Sequence, residues 1–456
     1  MNDYLILAAG RGARLWPITA DIPKTMIRIL KKPLLEWIIE GILPDARKIG
    51  VVVGYKRGAV ENYFAAKPYA DKIVFIEQRE QRGTGHAVLQ ARDLLTRDFI
   101  IGCGDHFFAP SFYEVLRREA ATKKFFFTAK NVEDASELGV WKTDESGNIV
   151  GISEKAGGGP GLANLNWARV PNEFFSFLER VSESPRGEIE LTDAYADFAR
   201  QNDVELLKYE GFWSGIEFFF HYLDANAFAL RELLSGGIEG EVEKGVELKG
   251  KIFVGKDTLV RSGTRVEGPA FIGENCVIGP HAFIRAGTTI EDHCRIGSSE
   301  VKNSIVMSYS NAPHYTYIGD SVICEDVNLG AGTTTANLRF DDAPIPIFDP
   351  KSGKKISSGR RKLGCVIGAQ TRVGINASIN CGVAVGRKCR IYPHTLVKAN
   401  LADESICMGS EYSSEERAAA EEKKAKTKKV KTRRWLKRGV KPCSRDTTFE
   451  EFTEAK

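Results

Sequence analysis

No stretch of the 456-residue chain approaches the roughly 20 apolar residues that a membrane-spanning helix needs, so a helical membrane protein is not expected. None of the nine cysteines stands in a Cys-x-x-Cys pair. That argues against a zinc ribbon and a redox motif, and fits reduced, partly buried thiols in a cytoplasmic setting. The opening MNDYLILAAG is apolar for only a few residues and lacks a charged lead-in or cleavage signature, so no secretory leader is expected. The Gly-x-Gly turn that follows has neither the spacing of a dinucleotide fingerprint nor the Gly-Lys-Ser/Thr of a P-loop.

With 43% hydrophobic and 10% aromatic residues, the chain can bury substantial cores and is long enough for two or more domains. Its formal charge of +4 hides an asymmetry. The segment Glu415 to Arg438 carries eleven Lys or Arg against four Glu, a net +7, which leaves the rest mildly acidic at −3.

Two periodicities divide the chain. From Met1 to about Phe228, apolar runs such as YLILAAG, IGVVVGY, KIVFIEQ and FIIGCGD alternate with helix-like stretches such as PLLEWIIEGIL and GHAVLQARDLL. This predicts a Rossmann-like α/β domain over 1–235, with a mainly parallel sheet covered on both faces. Beyond about Gly245, Val254, Val260, Val266, Ile272, Ile278, Ile284, Ile290 and Ile296 recur every sixth residue, and a second register runs Ile367, Val373, Ile379, Val385, Ile391 and Val397. Six is the period of a left-handed parallel β-helix stacking an aliphatic ladder inside, expected over 245–410. Tyr222 to Leu234 reads as a helical connector. Lys302 to Lys362 breaks the period and includes a polar, Pro- and Gly-rich loop expected to be functional. The segment 411–456 opens with a capped helix signal at Ser413-Ser414 and places acidic before basic residues. A solvated, partly frayed helix is the favoured reading, and contact of its basic residues and Trp435 with RNA or another polyanion is the alternative.

In LAAGRGARLWPIT, Gly10 and Gly12 follow a strand, where missing side chains let backbone N–H groups approach a phosphate, and Arg14 adds a cation. Lys24, in PKTM, offers a point charge to a transferring phosphoryl group. The ordered set LAAGRGARL, PK, EQREQRGTGHAV, GCGD, ISEK and SPRGEIELTDA resembles the sugar-1-phosphate nucleotidyltransferases across nearly the whole first half. With the hexapeptide solenoid behind it, the chain is similar to the archaeal type of bifunctional enzyme that joins N-acetylglucosamine-1-phosphate uridylyltransferase to glucosamine-1-phosphate acetyltransferase. The resemblance implies attack of a sugar-phosphate oxygen on the α-phosphorus of a nucleoside triphosphate with release of pyrophosphate. It assigns Gly12, Arg14 and Lys24, beside Gly10, to the triphosphate and Gln78, Gly83 and Thr84 to the base. Asp105 falls to Mg²⁺, and Gly139, Glu154, Lys155 and Asn164 to the sugar phosphate.

This chain departs from that pattern in places. A second metal-binding Asp or Asn is expected two residues after Trp213, and Gly215 stands there instead. Glu217, two positions on, is either a displaced ligand or, the preferred expectation, a solvent-facing residue at a strand end. Thr25 and Arg28 occupy positions where prolines are common, and Asn164-Leu165-Asn166 replaces a smaller Asn-Ala-Gly. The loss of one Mg²⁺ oxygen is expected to weaken catalysis without abolishing binding, because Mg²⁺ keeps waters and substrate phosphates as ligands.

The second half resembles the acetyltransferase site of the same enzymes. His314, followed by YTYIGD and NLGAGT, corresponds to the general base that takes a proton from the sugar amine as it attacks acetyl-CoA, a task that suits imidazole. Arg285 and Lys302 correspond to sugar-phosphate ligands, with Lys362 as a further one, and Tyr317 and Asn328 to sugar ligands. Asn337 positions His314 or the substrate, and backbone near Ala331 contacts acetyl-CoA. The resemblance also implies a homotrimer. Two competing readings are an acetyltransferase whose first half only binds ligand, and a non-catalytic regulatory subunit.

Overall fold

The computed structural model describes residues 1–136, 138–154, 159–185, 187–409 and 411–413. The expected helix after Ser413-Ser414, and the basic segment with Trp435, lie outside the described residues, as does Lys155.

The apolar runs of the first half form a nine-stranded sheet. Phe99–Cys103, Asn2–Leu7, Ala46–Val53 and Ile73–Glu77 lie side by side and parallel, the last at the sheet's edge. Both faces of the first three are covered, which is why they read as continuous apolar runs. Asn2–Leu7 is followed in the chain by a neighbour on one side, Ala46–Val53, and lies against the later Phe99–Cys103 on the other. The crevice beyond the carboxyl ends of Asn2–Leu7 and Phe99–Cys103 is therefore a topological switch point, where such sheets bind ligands. Gly104 N–H donates to the Leu7 carbonyl at 2.9 Å, which brings the two following loops together. The helix expected over GHAVLQARDLL is shorter, Thr84–Leu89, with turns beyond it.

The six-residue ladder forms as expected. Val254, Val260, Val266, Ile272, Ile278, Ile284, Ile290 and Ile296 are all fully buried, and Val254 pairs with Ile272, Val260 with Ile278 and Val266 with Ile284 in parallel register. Residues eighteen apart thus stack on one face of a three-sided prism. The coils begin at Gly237–Ile238 and end with Ile406–Met408, against which Glu411–Ser413 pairs antiparallel. One expectation is corrected. The solenoid does not break at Lys302: Ile305–Val306, Asn311–Gly319, Val322–Ile323, Asn328–Leu329 and Thr334–Thr335 all continue the coils. The sixfold count fails there because the coils shorten: Ile290 stacks on Val306 and Ile296 on Ala312, sixteen residues on, and Val301 stacks on Ile318 and Val306 on Ile323, seventeen residues on. Only the chain after Thr335 leaves the prism, and Ile323 pairs directly with Ile367 across that excursion. The excursion carries a hairpin, Pro346–Asp349 with Lys354–Ser357.

Each half has a core of its own, and a further cluster spans the two. Ile345 and Ile347 of the hairpin, with Ile305, Met307, Val322 and Cys324 of the coils, pack in the same buried cluster as Tyr4, Leu35 and Ile216 of the first half. The connector is helical, Phe219–Phe228 running into a wider turn over Ala229–Leu233. Its Asn226 accepts from the Thr289 hydroxyl at 2.7 Å, and the Tyr222 hydroxyl donates to the Arg28 carbonyl at 2.6 Å. Arg28 reaches Glu325 at 2.6 Å and Glu291 at 3.5 Å. The unusual arginine of the first half is thus an anchor for the solenoid.

Candidate functional sites

In the first half the loops after the two central strands converge. Gly12 takes a left-handed conformation (φ 67°) and opens a short 3-10 turn over Ala13–Leu15, and the Thr19 hydroxyl fixes its carbonyl at 2.8 Å. A side chain at 12 would put its Cβ 2.9 Å from the Lys24 Cβ, so glycine is needed for conformation and for space. Lys24 is buried, and its Nζ lies 2.7 Å from Asp105 Oδ2. Burial pushes the Asp105 carboxyl up, but the charges of Lys24 and His106 pull it down further, to about 2. An ionised oxygen donor beside a buried cation is a setting in which a hard divalent ion and phosphate can be held together. The donor set thus fits Mg²⁺ through one carboxylate, Asp105.

Arg14 adds a partner to Glu217 that the sequence did not show. Glu217 lies just past the strand Trp213–Gly215 with its side chain 38% exposed, but its carboxylate is not free in solvent: it accepts from the Arg14 guanidinium, while Asp349 of the solenoid's hairpin lies 3.4 Å from Arg14 Nε. The run EGFWSGIEFFF carries its carboxylate in order to hold that guanidinium. Burial alone would raise the Asp349 pKa, but the N–H groups of Lys351 and Ser352 and the charge of Arg14 more than offset it, and it lies below the usual carboxylate range.

The remaining residues assigned to the first site are spread around the crevice. Gly10 is open on its side-chain face. The Gln78 amide donates to the Gly83 carbonyl at 3.1 Å and lies 3.1 Å from His86 Nδ1, so it ties down the loop before Thr84. The Thr84 hydroxyl accepts from Leu191 N–H at 3.2 Å. Gly139 and Glu154 are paired across neighbouring strands. Asn164 is buried, and its Oδ1 accepts from the Asn166 N–H at 2.9 Å. Asn166 itself is left-handed (φ 59°), a conformation that asparagine tolerates, which accounts for its standing where a glycine is expected.

Gly215 has a structural reason as well. Trp213–Gly215 pairs antiparallel with His106–Phe108, placing Gly215 opposite His106. A Cβ at 215 would lie 3.1 Å from His106 Nε2, so the imidazole fills the space a ligand there would need. Burial holds His106 below the ordinary imidazole range, against the pull of Asp105. Cys103, Asp105 and His106 have their donor atoms within 4.8 Å of one another. His106 follows Asp105 directly in GCGDHFF, and sequence reasoning passed over it because nothing local shows which partner its ring meets.

In the second half, His314 lies on Asn311–Gly319 with its side chain outside the prism, where the register against Arg295–Lys302 shifts between Ser298 and Glu300. The His314 carbonyl accepts from Gly332 N–H at 3.1 Å and from the Thr316 hydroxyl at 3.2 Å. Lys302 Nζ lies 2.9 Å from Asp320 Oδ2. The Asn337 amide donates to Asp320 at 2.6 Å and to the Tyr317 hydroxyl at 3.1 Å. Both amide hydrogens are committed there, away from His314. Lys302, Tyr317 and Asn337 thus form one network around Asp320, a residue that sequence reasoning missed although it ends the quoted YIGD. Arg285 reaches Glu300 at 2.8 Å. Ala331 is partly exposed, and its carbonyl accepts from Asn376 N–H at 2.7 Å. Asn328 and Lys362 are exposed, Asn328 opposite Asn311 and Lys362 bridged to Leu338.

Comparison with known proteins covers both halves. Residues 4–232 match the nucleotidyl transferase family model, and 269–299 match the bacterial transferase hexapeptide repeat model. A bifunctional sugar-1-phosphate nucleotidylyltransferase/acetyltransferase of Sulfurisphaera tokodaii is 39% identical over 400 residues, covering 87% of this chain and 97% of that protein. The bifunctional protein GlmU of Methanococcus maripaludis is 38% identical, with 89% and 96% covered. A solved UDP-glucose pyrophosphorylase complexed with UDP-glucose aligns with 51% of this chain and 99% of its own, at a TM-score of 0.46 and 23% identity.

Proposed function

Because the chain belongs to the bifunctional sugar-1-phosphate nucleotidylyltransferase/acetyltransferase family, we propose that it N-acetylates glucosamine-1-phosphate with acetyl-CoA and transfers a nucleotidyl group from UTP to the product, releasing pyrophosphate. The observation that carries this reading is the Lys24–Asp105 pair, which sits at the switch point of the first sheet behind the Gly12 turn. A buried cation and an ionised carboxylate kept together there have no packing role that apolar residues would not fill better. Lys24 and Arg14 bind and orient the triphosphate, Gly12 lets it approach the backbone, and Asp105 holds Mg²⁺, which when bound offsets phosphate charge. Around the base and sugar, Gln78, Gly83, Thr84, Gly139, Glu154, Lys155 and Asn164 keep the roles the resemblance gives them.

In the second half His314 takes the amine proton during acetyl transfer. Arg285, Lys302 and Lys362 meet the phosphate, Tyr317 and Asn328 the sugar, and the backbone at Ala331 the thioester. Asn337, tied to Tyr317 and Asp320, positions the substrate. Assembly as a homotrimer, with neighbouring chains completing each acetyltransferase site, belongs to the same reading. No helix among the described residues is long and apolar enough to cross a membrane. Incubating the protein with glucosamine-1-phosphate, acetyl-CoA, UTP and Mg²⁺ is expected to give UDP-N-acetylglucosamine, pyrophosphate and free CoA by mass spectrometry. Free CoA without pyrophosphate would support an acetyltransferase with a merely ligand-binding first half, and neither product would support the regulatory subunit.

The hairpin adds a prediction. A triphosphate must take the Arg14 guanidinium from the Glu217 and Asp349 carboxylates. Asp349→Asn removes one competitor while its amide oxygen can still accept from Lys351 N–H, which Asp349 binds at 3.0 Å. The KM for UTP is expected to fall about fivefold or more, as for a charge-assisted bond worth about 1 kcal/mol or somewhat above. Steady-state pyrophosphate release measures it, and the KM for acetyl-CoA should not move.

A further inference from the structure

We propose that His106 binds the nucleoside triphosphate by donating a hydrogen bond from Nε2–H to a phosphoryl oxygen, and that it is not a metal ligand. The proposal rests on the nucleotidyl-transfer reading of the Lys24–Asp105 crevice. Three observations carry it. First, the Trp213 indole N–H, which can only donate, lies 3.0 Å from His106 Nδ1. That nitrogen must therefore be the acceptor, and in the neutral ring the proton then sits on Nε2. A nitrogen bearing a proton has no lone pair for a metal.

Second, Nε2 faces the crevice that holds the charged pair. It lies 3.9 Å from Asp105 Oδ1, beyond hydrogen-bond reach, while Asp105 Oδ2 is occupied by Lys24. His106 is nine-tenths buried, whereas the Asp105 side chain is 37% exposed, so the crevice opens at the carboxylate with the imidazole forming its wall. A protonated Nε2 there suits a phosphoryl oxygen.

Third, the ring's position is built. Gly215 leaves the room it occupies, and the indole of Trp213 meets it edge-on with centroids 5.5 Å apart. The same strand pairing that removes a side chain at 215 supplies the donor at 106. On this view one oxygen ligand has been exchanged for a neutral hydrogen-bond donor, with fewer negative charges around the triphosphate.

The test uses the full chain with UTP as the probe. Long-range proton–nitrogen NMR on histidine-labelled protein is expected to show His106 protonated on Nε2 and bare on Nδ1, with the Nε2 proton moving downfield when UTP and Mg²⁺ are added. By calorimetry, UTP affinity is expected to fall about tenfold or more in His106→Leu, the loss of a hydrogen bond to a charged group. His106→Gln, which keeps an N–H donor, should recover most of it. Acetyl transfer in both variants reports that they are folded. A proton on Nδ1, loss of the Nε2 proton on adding Mg²⁺, an Nε2 signal indifferent to UTP, unchanged affinity in His106→Leu, or no UTP binding by the unaltered protein would each overturn the proposal. Turnover separates it from the function: UTP binding that depends on His106 without pyrophosphate release would sustain the donor and refute the transferase reading.

Discussion

Replacing His314 with alanine is expected to remove acetyl transfer, by about 10²- to 10⁴-fold for a positioned general base, and to leave nucleotidyl transfer unchanged. The side chain is exposed on the coil Asn311–Gly319. The backbone contacts that hold this residue, from Gly332 N–H and the Thr316 hydroxyl, go to its carbonyl and survive the substitution. The loss is therefore chemical rather than structural. CoA thiol release with glucosamine-1-phosphate measures it, and pyrophosphate release from the same sample, given N-acetylglucosamine-1-phosphate and UTP, is the control. Acetylation at the original rate would show that another group accepts the amine proton.

Lys24→Met is expected to have the converse effect. It keeps the bulk that packs under Gly12 and removes the charge. Two consequences add. The transferring phosphoryl group loses a preorganised cation, a change that costs about 10²- to 10³-fold in comparable sites. Asp105 also loses the nearby charge that holds its carboxyl at about 2 against burial, so its ionised form becomes less favourable. Pyrophosphate release should fall by at least the stated factor while CoA release persists. Retention of pyrophosphate release within tenfold would move the phosphate contact elsewhere.

The six-residue ladder was legible because period alone fixes which side chains enter a prism, and each of its sixfold positions from Val254 to Ile296 is buried. The coils between Lys302 and Thr335 were not, since stacked residues there are sixteen or seventeen apart instead of eighteen, and a strict sixfold count loses them. The glycine turn was legible for a local reason: Gly10, Gly12 and Arg14 lie within five residues. What meets Arg14 was not. Glu217 is 203 residues away, and Asp349 arrives from the other half of the chain. Gly215 shows the same limit in another form. Read alone it is a missing ligand, and only the strand pairing with His106 reveals what replaces the lost side chain.

The cluster formed by Ile345, Ile347, Ile305 and Met307 with the first half bears on how such a chain can be recombined. A fragment severed after residue 235 would present that apolar face to water, and a solenoid transplanted from a relative would have to bring its own hairpin and its own Glu291 and Glu325 to meet Arg28. An exchange of either half therefore has to carry both the apolar face and the ion pairs that meet it.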